Sequence, residues 1–241
     1  MKVLPYLLFA LLINFSSNSQ NIKGRELLQK AIQYHDPNNN WITFSGTFHV
    51  TMETPKNTNR YSTINIDLPN EYFYLKARRD TLTTEYTIHK DKCSIILNGK
   101  ATPSDTLLKK HSITCKRGQL LKNYYTYLYG LPMKLKDPGT IINDTVTQKH
   151  FNGKDYLVLQ ISYDKSVGND VWYFYFDPKT YAMEVYQFYK TDKNGSIKEQ
   201  SGEYILLTEE MVINGIKMPK NRAWYYNKDN NYLGTDILSM P

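Results

Sequence analysis

The sequence predicts a mainly β fold with minor α: an incomplete, unclosed antiparallel β-barrel of about 11 strands with a helical lid. Short stretches that alternate apolar and polar residues recur along the chain, separated by turn sequences such as Asn-Gly. Aromatic residues, which fit the pleated surface of a sheet, make up 14% of the chain and include 21 tyrosines. Eleven or twelve antiparallel strands from one chain must curl strongly or close.

The chain begins with the features of a secretion signal. Lys2 precedes the apolar run Val3–Phe15, which is too short to span a bilayer, and the small polar stretch Ser16–Gln20 follows. We therefore predict a signal peptide over residues 1–20 and a single β domain over residues 21–241; an uncleaved anchor is the alternative. No cysteine ends the apolar run, so we expect a periplasmic or secreted protein without a lipid-attached N-terminus.

The charge pattern argues against a nucleic-acid partner. The formal net charge is +7, and it falls to +6 when the one lysine of residues 1–20 is removed. The basic residues are scattered, and their densest clusters are Lys76/Arg78/Arg79 and Lys109/Lys110/Lys116/Arg117. For an exported protein, patches of this size favour contact with an anionic membrane surface or head group.

Helical spacing predicts a short amphipathic helix over Gly24–His35, ended by Asp36-Pro37. Alternation then predicts a first strand group at Trp41–Met52, Tyr61–Asp67, Glu71–Arg79, Thr83–His89 and Cys93–Leu97. In the first of these strands, Ile42, Phe44, Phe48, Val50 and Met52 are expected to face inward.

The period then changes to a helical one. Asp105–His111 and Thr114–Tyr129 are predicted helices, and the second carries the apolar stripe Leu120, Leu121, Tyr124, Tyr125 and Leu128. The second strand group is predicted at Ile141–Phe151, Tyr156–Asp164, Val171–Asp177, Tyr181–Thr191, Ile197–Thr208, Ile216–Tyr226 and Tyr232–Leu238.

The stretch Gly168–Lys190 reads as a hairpin that turns at Asp177-Pro178-Lys179-Thr180. Both of its faces are apolar or aromatic, which is unusual for a sheet with one wet face. We expect one face to meet the interior through Trp172, Phe174, Tyr186 and Phe188. We place Val171, Tyr173, Tyr175, Met183, Val185 and Tyr189 on the other face, whose cover the sequence does not identify.

These patterns predict a concave apolar cavity. The candidate ligand-binding residues are Phe44, Phe48, Val50, Phe73, Leu75, Leu159, Ile161, Trp172, Phe174, Tyr186, Phe188, Ile205 and Leu207, with Leu121, Tyr124 and Tyr125 on the lid. A concave site with few polar groups suits an acyl chain. The alternative is that the same residues fill a core and the protein binds a partner elsewhere.

The only two cysteines, Cys93 and Cys115, form either a disulfide or a pair of reduced thiols. The pair His35-Asp36 could begin a metal site, but the interpretation we favour is a helix end at which the histidine caps carbonyls. No phosphate loop, nucleophile elbow or zinc motif occurs, so we predict no catalytic residue, metal or cofactor. Glu199 and Glu203, expected on one strand face, leave a carboxylate-based hydrolase as a distant alternative.

Several segments carry a family resemblance. They are Tyr34–Trp41, Tyr129–Pro138, Trp172–Lys190, Ser201–Leu207 and Asn214–Asn227. Together they resemble an uncharacterised secreted domain-of-unknown-function family of Bacteroidota, a match that covers nearly the whole chain after residue 20. The order of helices and strands behind a signal peptide is also similar to the outer-membrane lipoprotein-carrier (LolA-like) superfamily. That resemblance implies an incomplete β-barrel capped by helices, with a hydrophobic cavity for acyl chains.

The predicted function is therefore exported, non-catalytic binding or transport of a lipid, a lipidated protein or another hydrophobic ligand. The alternative is a periplasmic protein-interaction module with a filled core.

Overall fold

The computed structural model describes residues 22–241, which form a twelve-stranded antiparallel sheet and three α-helices. The predicted signal peptide, residues 1–20, lies outside the described residues. The helices are α1 (Gly24–His35), α2 (Asp105–Lys110) and α3 (Cys115–Gly130), with short 3₁₀ helices at Asn40–Thr43 and Met133–Lys136. The strands are β1 (Ser45–Thr54), β2 (Asn57–Asp67), β3 (Tyr72–Arg79), β4 (Leu82–His89), β5 (Lys92–Leu97), β6 (Thr140–Phe151), β7 (Lys154–Tyr163), β8 (Val171–Phe176), β9 (Met183–Tyr189), β10 (Glu203–Ile213), β11 (Ile216–Tyr226) and β12 (Tyr232–Ser239).

The sheet is unclosed, as predicted, with twelve strands where about 11 were expected. Its order is β5-β4-β3-β2-β1-β12-β11-β10-β9-β8-β7-β6, so that β5 and β6 are its two edges. The first and last strands pair in the middle, where His49 lies opposite Ser239. The connection between the two edge strands contains α2 and α3. None of the helices in residues 22–241 combines the length and apolar content needed to cross a membrane.

Helix α1 packs on one end of the sheet and is anchored by its last residue. Its apolar face, Leu27, Leu28 and Ala31, is buried. His35 is also buried; its Nδ1 lies 2.8 Å from the Lys217 carbonyl oxygen, and its Nε2 accepts a 2.9 Å hydrogen bond from the Met183 N–H. Because Nε2 accepts, the ring is neutral with its proton on Nδ1. Burial lowers the pKa of His35, in agreement with that neutral state.

Asp36 explains where the first strand begins. Its carboxylate accepts hydrogen bonds from the N–H groups of Asn40 at 2.7 Å and Trp41 at 2.8 Å, which stabilises the 3₁₀ helix Asn40–Thr43. The prediction of a strand from Trp41 was therefore wrong, since β1 begins at Ser45. Ile42, expected to face inward, is 65% exposed, and Trp41 is buried instead. The pair His35-Asp36 is structural, and residues 22–241 contain no group of three potential metal ligands.

The central hairpin forms at the predicted turn. Asp177 Oδ1 accepts 2.8 Å hydrogen bonds from the N–H groups of Lys179 and Thr180. Lys154 Nζ lies 2.7 Å from both Asp177 Oδ2 and Glu184 Oε1, which ties β7 to the hairpin. Burial alone would raise the pKa of Asp177, but these hydrogen bonds hold it far below its usual value.

The second face of the hairpin is covered by neighbouring side chains of the sheet. Tyr175 is fully buried there, with Phe151 packed at a ring distance of 5.3 Å. Its hydroxyl donates a 2.6 Å hydrogen bond to Gln187 and accepts one of 2.9 Å from Lys149. Met183 was assigned to this face wrongly. The register shifts between Tyr175 and Phe176, and Met183 therefore joins the interior cluster.

The strand predicted at Ile197–Thr208 is displaced along the chain, because β10 spans Glu203–Ile213. An isolated bridge between Thr191 and Ile197 closes a compact loop before it. Glu209 and Glu210, which follow the predicted strand, lie within β10. Glu199 lies outside the strand that begins at Glu203, so the two glutamates do not share a strand face.

Helix α3 is tied to the sheet by a disulfide. Cys93 on β5 and Cys115, the first residue of α3, are bonded, with their Cα atoms 5.9 Å apart. Gly118, one turn further along, lets the helix approach the sheet closely: a Cβ there would lie 2.8 Å from Tyr86 Cδ1 on β4. Helix α3 is therefore held close to the edge of the sheet at its N-terminal end.

Candidate ligand site on the concave face

The predicted cavity-lining residues divide into a buried group and a more accessible group. The buried group has twelve members, which lie together in one core cluster and are 0–7% exposed. They are Phe44, Phe48, Val50, Phe73, Leu75, Leu159, Ile161, Phe174, Tyr186, Ile205, Leu207 and Tyr125. A side chain that lines a cavity large enough for a water molecule keeps water-accessible surface in that cavity, even when the cavity is closed to the outside. These residues therefore fill the interior by packing against one another.

The other four predicted residues, Trp172, Phe188, Leu121 and Tyr124, are accessible. Trp172, Phe188 and Leu121 are half-buried, whereas Tyr124 is 39% exposed. The prediction of one continuous inward stripe on α3 was wrong at Leu120, which is 61% exposed. The helix therefore packs mainly through Tyr125, Leu128 and Tyr129.

The accessible aromatic residues form a strip between α3 and the sheet. We define this aromatic strip as Tyr124, Tyr127, Trp172, Phe188 and Trp224, all of them half-buried or exposed. Trp172 stacks on Phe188 at a centroid distance of 4.8 Å and meets Tyr127 edge-on at 5.9 Å. Tyr124 stacks on Trp224 at 6.4 Å. The strip offers apolar surface that the packed interior does not.

A row of three charged residues and one methionine crosses the concave face next to this strip. The row consists of Arg60, Met52, Asp236 and Arg222, which stand opposite one another on β2, β1, β12 and β11. Met52 stands two residues from buried Val50 and Asp236 two residues from buried Leu238, and residues two apart in a strand share a face, which places the row on the inner side of the sheet. The residues meet only because the first and last strands pair. We call Arg60, Ser62, Arg222, Trp224 and Asp236 the polar cluster.

Arg222 is 1% exposed and lies under α3. Its guanidinium carbon is 4.1 Å from the centre of the Tyr129 ring, a cation–π geometry. Nη1 donates to the Pro219 carbonyl at 3.1 Å, and Nη2 donates to the Leu128 carbonyl at 3.4 Å. Its Nε has no hydrogen-bond partner among the described residues.

Arg60 approaches the same helix from β2. Its Nη2 donates a 3.1 Å hydrogen bond to the Tyr125 hydroxyl. Within the described part of the chain, Arg60 Nε and the neighbouring Ser62 hydroxyl have no partner. The contact that α3 makes with this arginine is a single hydrogen bond to a neutral oxygen.

Asp236 is 3% exposed and lies between the two arginines in the row. Burial raises the pKa of its carboxyl group, although the positive charges of Arg60 and Arg222 oppose that shift. Counting residues 22–241 only, Asp236 Oδ1 accepts no hydrogen bond. The row therefore holds two guanidinium groups against one buried carboxyl group whose pKa is raised.

The sequence contained one signal for this cluster that the predictions did not use. Arg60 stands at an inward position of its strand, two residues before Ser62 and four before Ile64, and Asp236 stands two residues before buried Leu238. A charged residue at an inward position is rare in a sheet and marks a special site.

The outer face has its own groove, of about 390 Å³, along β1, β2 and β3. Its lining includes His49, Thr51, Thr63, Lys76 and Arg78. Polar and basic side chains of this kind do not form the predicted apolar cavity.

The fold and site thus define a class of protein: an unclosed antiparallel sheet whose concave face is covered by a helix over aromatic and charged residues. The chain belongs to a family of unknown function, DUF6503, whose model matches residues 2–239. This agrees with the resemblance to an uncharacterised family that the sequence segments carry. Among curated proteins, none matches the chain.

Two solved structures are similar to this chain. A DUF1329 family protein from Desulfovibrio piger has a TM-score of 0.51 at 7% identity, over 90% of this chain and 92% of that one. A LolA superfamily protein from Nitrosomonas europaea has a TM-score of 0.48 at 10% identity, over the same shares. The first likeness shows a shared fold and, at that identity, nothing more.

Proposed function

We propose that this chain is an exported, non-catalytic binding or carrier protein for a hydrophobic ligand. The ligand would be a lipid, the acyl chain of a lipidated protein or a similar molecule, held between α3 and the concave face. The aromatic strip is the observation that carries this proposal. Five large aromatic side chains line one side of a covered concave surface and are not fully packed. Burial of an acyl chain there contributes about 0.8 kcal/mol per methylene.

The packed interior determines how such a ligand would enter. Because the twelve buried residues leave no space beside them, an acyl chain must displace side chains of α3 from the sheet. Tyr124 and Tyr127 already lie at the accessible side of that helix. The disulfide would keep the N-terminal end of α3 in place while its remaining turns move.

The proposal includes a place of action and a means of contact with membranes. The secretion signal predicted over residues 1–20 supports a periplasmic or secreted location. Basic side chains on α2 and at the start of α3 would face an anionic membrane surface: Lys109, Lys110, Lys116 and Arg117, all exposed. Leu107 and Leu120 are exposed on the same two helices and would add apolar contact.

The test is to purify the protein from the periplasm and to look for co-purifying lipid by native mass spectrometry and organic extraction. Uptake of a fluorescent fatty acid by the delipidated protein is then measured. We expect uptake by the wild type and a loss of about tenfold or more in Trp172→Ala/Tyr124→Ala, since each aromatic ring contributes over a kcal/mol of apolar contact. Tyr61→Ala, which removes an exposed ring elsewhere, is the matched control. Absence of both co-purifying lipid and uptake would contradict the proposal.

One observation favours a second candidate, a periplasmic protein-interaction module with a filled core. It is the packing of the twelve predicted lining residues against one another. This candidate predicts that the aromatic strip binds a partner protein and that no lipid is extracted. Cross-linking from position 124 in living cells separates the two candidates. A carrier should cross-link only to partners that bear lipid, whereas an interaction module should cross-link to a partner protein without lipid.

A further inference from the structure

The polar cluster beneath α3 has more hydrogen-bond donors than acceptors. Among residues 22–241, the polar cluster holds three N–H donors without a close acceptor, which are Arg60 Nε, Arg222 Nε and Trp224 Nε1, although the Trp224 ring lies near enough to Asp236 to help lower the pKa of that carboxyl group. The Ser62 hydroxyl and Asp236 Oδ1 also lack a close partner, as do the hydroxyls of Tyr129 and Tyr186 beside the cluster. Buried polar groups are normally paired, so a cluster of this size points to a binding function. Its complement is a group rich in acceptor oxygens.

We propose that the polar cluster binds the anionic head group of an amphiphile whose apolar chain lies on the aromatic strip. The inference rests on the proposed function, and it adds the chemical class of the ligand: a long-chain carboxylate or phosphate monoester. Two guanidinium groups face one carboxyl group, which leaves the cluster with at least one excess positive charge. A guanidinium matches the geometry of carboxylate and phosphate oxygens, with which it forms paired hydrogen bonds.

The contacts that both arginines make with α3 are replaceable, whereas the hydrogen bond from Arg222 to the Pro219 carbonyl lies within the sheet and would remain. Arg60 donates to the Tyr125 hydroxyl, and Arg222 donates to the Leu128 carbonyl at 3.4 Å. Both acceptors are neutral oxygens supplied by α3. An anionic oxygen is a stronger acceptor than either, so a ligand acid can take their place when the helix moves.

The polar cluster and the aromatic strip are continuous through Trp224. Its ring meets Tyr186 at 6.1 Å and Tyr124 at 6.4 Å, and its Nε1 belongs to the polar cluster. From β11 to Trp172 on β8 the distance is three strand spacings, about 14 Å across the sheet. A head group at Arg222 would therefore place an acyl chain along the strip.

The test compares ligands that share one chain and differ in the head group. Hexadecanoic acid, hexadecyl phosphate and methyl hexadecanoate are titrated against the delipidated mature protein at pH 8.5, with displacement of a neutral fluorescent probe as the readout. We expect at least one acid to bind tenfold or more tightly than the ester, and the tighter of the two acids identifies the head group. Arg60→Gln and Arg222→Gln should each bring this ratio of acid to ester affinity close to one. Arg78→Gln, on the exposed outer face, should leave the ratio unchanged.

The outcomes separate this inference from the proposed function. If acids and ester bind equally to the wild type, or if the preference survives both substitutions, the head-group site is overturned and the carrier function stands. If none of the three amphiphiles binds, the carrier function itself fails. If inorganic phosphate binds as tightly as hexadecyl phosphate, the acyl chain adds nothing to binding. That result would overturn the proposed continuity of the polar cluster and the aromatic strip. Arg222 is fully buried, so Arg60→Gln, at a half-buried position, supplies the result if Arg222→Gln does not fold.

Discussion

Loss of the disulfide between Cys93 and Cys115 should destabilise the protein by an amount that the structure allows us to work out. The two cysteines are 22 residues apart in sequence. The loop entropy removed from the unfolded chain by such a cross-link corresponds to about 3 kcal/mol at 25 °C. For a domain of this size, that free energy lowers the melting temperature by roughly 6–12 °C.

The perturbation is Cys93→Ala/Cys115→Ala, because alanine removes the bond without burying a hydroxyl. The free energy of unfolding is measured by urea titration and the melting temperature by calorimetry, for the variant and for the wild type with and without reductant. The reduced wild type should behave like the variant, and reductant should not affect the variant.

A melting temperature of the variant within about 2 °C of the oxidised wild type would refute the reasoning. It would mean that the loop between β5 and α3 is already ordered in the unfolded chain. Hydrogen exchange adds a local readout, since amides in the first turns of α3 should lose more protection than those of α1.

Three further predictions concern stability and membrane contact. His35→Leu should cost roughly 2 kcal/mol or more, because it leaves two buried backbone groups unpaired. In the wild type, the lowered pKa of His35 means that its stabilising contribution is complete above pH 6.5 and is lost as the pH falls below that value. The variant should lack this slope in urea titrations, and an unchanged slope would contradict the neutral state of the ring. Asp177→Ala should cost about 1.5–3 kcal/mol at pH 7, since it removes charge-assisted hydrogen bonds to Lys154 and to the turn. The lowered pKa of Asp177 means that its stabilisation persists above pH 3.8 and disappears as the pH falls further; equal unfolding midpoints for variant and wild type at pH 7 would rule this out. Lys116→Gln/Arg117→Gln should weaken co-sedimentation with phosphatidylglycerol vesicles by about 2 kcal/mol, with phosphatidylcholine vesicles as the control, and undiminished binding would exclude this surface.

The elements that could be predicted from the sequence are those defined by local patterns. Helix α1 has the predicted bounds because its apolar spacing and the Asp36-Pro37 end signal are both local. Strand β11 likewise has the predicted bounds, Ile216–Tyr226. The hairpin turn at Asp177 formed as expected, since its aspartate and proline specify the turn by themselves.

The errors arose where the local pattern is interrupted. The position of Met183 depends on a register shift, which adds a residue to one strand without any change in composition. Strand β10 continues through Glu209 and Glu210 because Thr208 and Glu210 pair with Asn221 and Pro219 on β11, even though Glu209 has a positive φ of 56°. The predicted strand ended at Thr208 because the two acidic residues interrupt the apolar alternation.

The candidate site could be predicted only in part. Aromatic residues of the strip such as Trp172 and Phe188 follow from alternation within one hairpin. The polar cluster depends on pairing between distant strands: Arg60 and Asp236 lie far apart in sequence and meet through the pairing of β1 with β12. No local sequence pattern predicts that pairing, and none predicts how densely the interior is packed.

The pairing of β1 with β12 also determines the order in which the parts of the sheet can form. Strands β1 to β5 can form hydrogen bonds with one another as soon as they are available, but β1 keeps an open edge until the last strand arrives. That edge is a template for pairing with other chains throughout synthesis. The same late step assembles the charged row, because Asp236 is on β12. A chain truncated before residue 232 would therefore lack both the strand that joins the two halves of its sheet and the carboxyl group of the charged row, and it should aggregate.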